Sequence, residues 1–242
     1  MHDYVSPNFT TILDPSKAFP YRLNGYQRTT YIGEIERADP HNWEYDERWP
    51  PTGFVNKDEA HILYHLARQF RGKAALETGC HVGFSAWHLL KAGVNLSICD
   101  PILFVPEMRK AVVEALSEFE GQYQMTGFPS PQAALELGEN HGPWSFVFID
   151  AVHHTPHPII DAAAAATHCA ADAMIVFHDA IIPAVFEGAG FLKICGWQLK
   201  IYDTSQMLAV CYRGNVELVD HIPDEAIRAL PIPNYLEPYI PR

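Results

Sequence analysis

Four short apolar runs in this chain each close on an acid: Ala74–Glu77, Asn95–Cys99 before Asp100, Trp144–Ile149 before Asp150, and Met174–Phe177 before His178 and Asp179. Such runs, only four to six residues long, suit strands buried on both faces. Helical patterns lie between them. Asn56 or Asp58 is placed to cap a helix running to about Phe70, with Ile62, Leu63, Leu66 and Ala67 on one face. Ser85–Lys91, Pro106–Glu120 and Ile159–Cys169 read as helices after the first three runs, and Met108, Val112, Val113, Leu116 and Phe119 stripe the second of them. Tyr123–Thr126 is a weaker strand, followed by a short helix at Gln132–Leu137. Trp197–Tyr202 and Met207–Tyr212 read as a hairpin, so the fourth run is succeeded by two strands. This alternation dictates an α/β fold: a doubly wound, mostly parallel seven-stranded sheet with a C-terminal antiparallel hairpin.

Residues 1–55 are expected to form an aromatic, proline-rich arm, 56–215 the α/β domain and 216–242 a proline-rich tail. The arm is poorly periodic, but its Tyr and Trp content argues for an ordered, irregular segment packed on the domain or on a neighbouring subunit. Twenty-nine acids against 17 bases give a formal charge of −12, which repels a phosphate backbone and disfavours nucleic acid as a partner. A small molecule fits better. The five cysteines are scattered and form no CxxC pair, so neither a zinc knuckle nor a disulfide framework is indicated and a cytoplasmic home is expected. No secretory signal opens the chain, and its longest apolar stretches are too short to span a bilayer.

In an open parallel sheet, ligands bind where the strands deliver their carboxyl ends. The first end is Glu77-Thr78-Gly79-Cys80-His81-Val82-Gly83, where two glycines permit a sharp turn and close approach of a ligand. It lacks the GxGxxG dinucleotide fingerprint. The second end, Asp100, lies 23 residues after Glu77 and is suited to bind two ribose hydroxyls. An acid followed by GxxxG, with a second acid after the next strand, resembles the class I S-adenosylmethionine (SAM)-dependent methyltransferases, whose sheet is Rossmann-like. The resemblance covers roughly Asn56 to Tyr212. It implies that Gly79, Gly83 and the neighbouring backbone line the methionine half of the cofactor, that Glu77 lies close behind, and that Asp100 holds the ribose. The third-strand loop, Thr126-Gly127-Phe128-Pro129-Ser130, departs from the family by offering no carboxylate. Phe128 is assigned to pack on the adenine and Ser130 to bond its edge.

The segment Phe148-Ile149-Asp150-Ala151-Val152-His153 resembles the F-I-D-x-x-H element of a branch that includes small-molecule O-methyltransferases and cephalosporin hydroxylase-like proteins. In several members, carboxylates after these strands hold magnesium. Carried over, Asp150 and Asp179 become ligands to Mg2+ or another divalent ion, with His178 beside them. A bound cation acidifies a substrate hydroxyl, and a histidine removes the proton; His153, with Asp150, takes the catalytic assignment. His154 and His157 have no such warrant and read as loop. Cys80 reads as a small filler beside the cofactor, and Trp87 and His88 as packing. The implied activity is methyl transfer from SAM to an oxygen of a small molecule. The alternatives are a non-catalytic SAM- or nucleotide-binding protein with an assembly or regulatory role, and a Rossmann oxidoreductase, which the missing fingerprint opposes. Tyr21, Tyr26, Tyr31, Trp43, Tyr45 and Trp49 form either an aromatic wall for a planar acceptor or a homo-oligomer surface, with the balance slightly towards the surface.

Overall fold

The computed structural model describes residues 4–27, 41–49 and 54–240. Its centre is a seven-stranded sheet. Strands β3 (Ala74–Thr78), β4 (Asn95–Cys99), β5 (Tyr123–Thr126), β6 (Trp144–Ile149) and β7 (Cys169–Phe177) pair in parallel in the order β5-β4-β3-β6-β7. The hairpin β8 (Gln198–Tyr202) and β9 (Leu208–Arg213) completes it, with β9 inserted antiparallel between β7 and β8. The strand order reverses between β3 and β6. Such a switch point opens a crevice above the carboxyl ends.

Each central strand feeds both sides of the sheet. Phe146, Phe148, Met174 and Val176 join the core shared with α1 (Lys57–Ala67), α2 (Phe84–Ala92) and α3 (Pro106–Ala115). Val147, Ile149, Ile175 and Phe177 join the opposite core under α4 (Gln132–His141), α5 (His157–Thr167) and α6 (Pro183–Ile194). All eight side chains are at least 96% buried, and burying each contributes about 1.5–3 kcal/mol. This two-sided demand explains the uninterrupted apolar runs.

Four sequence expectations are corrected. The helix expected over Pro106–Glu120 ends at Ala115 and yields to a short 3-10 turn at Ser117–Phe119, which leaves Val113 42% exposed instead of on the buried stripe. The helix expected to end at Cys169 ends at Thr167, and Cys169 opens β7. Helix α6 between β7 and β8 was not expected, because the Val185, Ala189 and Leu192 stripe is short and interrupted by Gly188 and Gly190. Gly188 there admits close packing: a Cβ would lie 2.7 Å from the Pro158 carbonyl oxygen and 2.9 Å from the Phe177 ring. Lastly, the arm is not wholly irregular. Strands β1 (Arg22–Gln27) and β2 (His41–Asp46) pair antiparallel, and the Phe54 amide extends the ladder to the Glu44 carbonyl at 3.0 Å.

Phe9, Phe19 and Phe54 sit in the core on the α1–α3 side, so the N-terminal segment packs on the sheet domain. Of the six aromatic residues assigned to a wall or interface, Tyr31 lies outside the described residues, as do the side chains of Tyr26 and Trp43. Tyr21 is 43% exposed beneath the Arg48 guanidinium, 4.3 Å from its ring centre, while Tyr45 and Trp49 pack against the core. The tail folds back over α6: Leu236 is fully buried, and the Tyr235 hydroxyl donates to the Ile181 carbonyl at 2.6 Å.

Candidate active site

The first two strand ends form one hydrogen-bonded unit. Gly79 adopts φ +84° and Gly83 φ +87°, both in the left-handed region that glycine tolerates. Gly79 has a second constraint. A Cβ would lie 2.0 Å from the carbonyl oxygen of Asp150, so the missing side chain lets the turns after β3 and β6 press together. Its bare face therefore accommodates backbone. Gly83 precedes α2, and a Cβ there meets only ordinary contacts with Val112 and Leu116, which leaves backbone angle as its reason.

Asp100 faces this turn. Its Oδ2 accepts from the amides of Cys80 (2.8 Å) and His81 (2.9 Å), and its Oδ1 from the amide of Ile102 (2.9 Å). Three amides thus hold the carboxylate at the crevice, and a carboxylate retains acceptor capacity beyond three bonds. Glu77 lies beneath, fully buried, with its Oε1 accepting from the Ser85 hydroxyl at 2.5 Å. Burial, reinforced by Asp150 and Asp100, pushes its pKa up to about 8, so it is predominantly protonated at neutral pH. The Cys80 thiol is likewise driven well above its usual range by burial and by the Asp100 charge. That agrees with a filler, because only a thiolate is a good nucleophile.

Beside Asp100, Phe104 and Phe128 stand 63% and 54% exposed, edge to face with ring centres 5.6 Å apart. The sequence pointed to Phe128 but not to Phe104, which sits in a 3-10 turn after β4. Ser130 is 2.7 Å from Asp161, to which its hydroxyl donates. Its hydroxyl is thereby tied to α5.

The ends of β6 and β7 bring together a denser group. The Nε2 of His153 lies 3.3 Å from Oδ1 of Asp150 and 3.4 Å from Oδ2 of Asp179. Asp150, His153 and Asp179 each offer a ligand atom within 4.8 Å of the others, a spread suited to one metal ion. The sequence named Asp150, His178 and Asp179 as the ligands; the structure adds His153, whose ring approaches the same two carboxylates. His178 stands behind them, 97% buried. Its Nδ1 faces Asp179 (3.0 Å) and Asp150 (3.4 Å), and its Nε2 faces Glu59 on α1 (3.1 Å). Asp179 adopts φ +55°, and its Oδ1 is buried with no hydrogen-bond partner among the described residues.

The electrostatics follow from this crowding. Burial acts to lower the pKa of His178, but Asp179, Asp150 and Glu59 override it and hold the value well above the ordinary histidine range. Burial acts to raise Asp150, yet His178 and His153 keep it well below the usual carboxylate range. For His153 burial is again outweighed, by the hydrogen bond to Asp150 and the charges of both aspartates, so its pKa rises. A hard divalent cation prefers carboxylate oxygen with some imidazole tolerated. The orphaned, buried Oδ1 of Asp179 and the two-carboxylate, one-imidazole donor set fit such an ion.

Glu59 escaped the sequence reading. It is one of two adjacent acids near the start of a helix, and nothing local signals a bond to a residue 119 positions away. The signal within reach was Asn56-x-x-Glu59, the pattern of a capping box, which the structure contains.

Comparison with known proteins agrees with this geometry. Residues 76–180 match the model of a family described as a methyltransferase domain. Among curated proteins, none matches significantly. An O-methyltransferase from Bacillus cereus, solved with SAH, superposes with a TM-score of 0.57 at 14% identity, over 68% of this chain and 84% of that one. An O-methyltransferase from Streptomyces achromogenes involved in tomaymycin synthesis, solved with SAM, gives 0.51 at 17% identity, over 66% and 82%. A methyltransferase from Geobacter sulfurreducens gives 0.53 at 13% identity, over 66% and 80%. These similarities carry the fold. At these identities they show the Rossmann-like fold alone, while the family match makes residues 76–180 similar to a methyltransferase domain.

Proposed function

We propose that the protein transfers a methyl group from SAM to an oxygen of a small molecule, assisted by a divalent metal. The observation that carries the reading is a single crevice edge. Adjacent strands β4, β3, β6 and β7 deliver Asp100, the glycine turn, Asp150 with His153, and Asp179 to the same end of the sheet. In this reading Asp100, ordered by three amides, accepts the ribose hydroxyls of the cofactor. Gly79 and Gly83 shape the turn beside its methionine half. Glu77 stays behind as a largely neutral support. Phe104 and Phe128 offer exposed faces to the adenine, and Ser130 marks the rim near its edge. SAM supplies the electrophilic methyl group.

Asp150, His153 and Asp179 would hold the metal, and a bound cation lowers the pKa of an oxygen acceptor. Among the three, His153 is the most accessible, with 23% of its side chain exposed, so it faces the incoming acceptor. A second reading rests on the same nitrogen. Without metal, the Nε2 of His153, backed by Asp150 and Asp179, takes the acceptor's proton directly as a general base. Most of the rate gain in either case comes from holding acceptor and methyl group in line, away from water.

Calorimetric titration with S-adenosylhomocysteine tests the cofactor assignment, and Asp100→Ala is expected to weaken binding tenfold or more. Absence of binding at millimolar ligand overturns the proposal. Labelled SAM with phenolic and sugar acceptors, assayed with and without EDTA, separates the metal reading from the metal-free base. Cofactor binding with no transfer to any acceptor would favour a non-catalytic binding protein.

A further inference from the structure

We infer that Glu59, on the helix preceding the methyltransferase segment, is a positioning residue that fixes the His178 ring and through it the two carboxylates of the candidate metal site. The inference rests on the proposed function for its readout, and on geometry for its premise. Glu59 occupies the third position of α1, where a capping box needs only a carboxylate reaching back to the Asn56 amide. That bond is present at 3.0 Å. Capping does not explain the rest. Glu59 is fully buried, and removing a carboxylate from water is costly unless several donors compensate it.

Those donors come from three separate parts of the chain. Oε2 takes the Asn56 amide and the Nε2 of His178; Oε1 takes the Gln206 amide at 3.2 Å and the Ser205 hydroxyl at 3.4 Å. Ser205 and Gln206 lie in the link between β8 and β9, and Asn56 Nδ2 donates to Ser205 Oγ at 2.7 Å. The carboxylate therefore locks helix cap, hairpin turn and strand end into one arrangement. A ring with both nitrogens facing carboxylates must donate from both. With Nε2 held by Glu59, Nδ1 can point only at Asp179 and Asp150. Outer partners of this kind orient metal ligands, and losing one typically costs 10–100-fold in metal affinity.

The test uses the full chain. In the wild type, nitrogen-detected NMR of the histidine rings should show a slowly exchanging Nε2 proton on His178; its absence overturns the inference without any variant. In Glu59→Ala that proton should exchange freely and Mn2+ affinity should fall at least tenfold, while S-adenosylhomocysteine affinity stays within about twofold. Glu59→Gln, which keeps an acceptor for the ring, should restore the slow proton and most of the Mn2+ affinity. A folded Glu59→Ala protein with wild-type Mn2+ affinity, or a Gln variant as impaired as the Ala one, overturns it. If the wild type binds neither Mn2+ nor cofactor, the proposed function fails and the ring proton alone decides this inference.

Discussion

Two pairs of histidines in this molecule meet opposite fates. His61 and His88 face each other across the α1–α2 contact, ring centres 5.9 Å apart, and each bonds one ring nitrogen to a carbonyl of its own helix. Burial, with no carboxylate to offset it, lowers their pKa values to about 4 and about 3. His178 is as buried as His88, yet three carboxylates reverse the outcome, and two do the same for His153. The protein therefore lowers the pKa of the imidazoles in its helix packing and raises it for those at its strand ends. Burial sets the size of the electrostatic response, and the neighbouring charges set its direction.

The most severe way to break this comparison is at the hinge between the two regions. Gly79→Ala forces a Cβ onto the Asp150 backbone at a positive φ, and should destabilise the fold by about 3 kcal/mol or more in urea titration. An unchanged midpoint would mean that the β6 turn yields freely. Next, Asp179→Asn should lower Mn2+ affinity ten- to a hundredfold while leaving S-adenosylhomocysteine binding within twofold, as read by calorimetry. Equal losses of both ligands would make the metal and cofactor halves of the crevice a single energetic unit.

The helix-packing pair predicts an acid limb. Above pH 6.5 both His61 and His88 are neutral folded or unfolded, and their stability contribution is fully present. As pH falls below 6.5 the unfolded chain takes up protons that the folded one refuses, so stability drops by up to about 1.4 kcal/mol per pH unit for each ring, down toward the folded values. His88→Leu should remove one ring's share of that slope between pH 6.5 and 5. An unaltered slope would show that His88 protonates without unfolding. The smallest effect is expected for Asn56→Ala, about 1 kcal/mol from the lost cap, measured by thermal melting.

How much of this was legible in the sequence differs between the two halves of the crevice. That the glycine turn, Glu77 and Asp100 lie together was readable, because it follows from contiguous residues and from one strand-to-strand spacing. Helix α6 was not readable, since its buried face is narrow, includes Gly188, and is blurred by apolar residues such as Ile194 on the exposed side. The aspartates at 150 and 179 were visible as strand endings. Which ring approaches them from which side was not, because His153 and His178 are both near a strand end and only side-chain direction separates them. No helix among the described residues is long and apolar enough to cross a membrane, in line with the composition.

The sequence alone determined the sheet, since apolar runs of this length cannot be solvated and must be covered on both faces. It also determined where the chain would present acids, because strands of a parallel sheet end together. Tertiary structure decided what those acids do. Asp100 turns to backbone amides, Glu77 takes up a proton under burial, and Asp150 and Asp179 gather around two imidazoles, one anchored by Glu59 from a distant helix. Hydrogen-bond direction and the distance between charges fall steeply over a few ångströms, and no linear spacing encodes them.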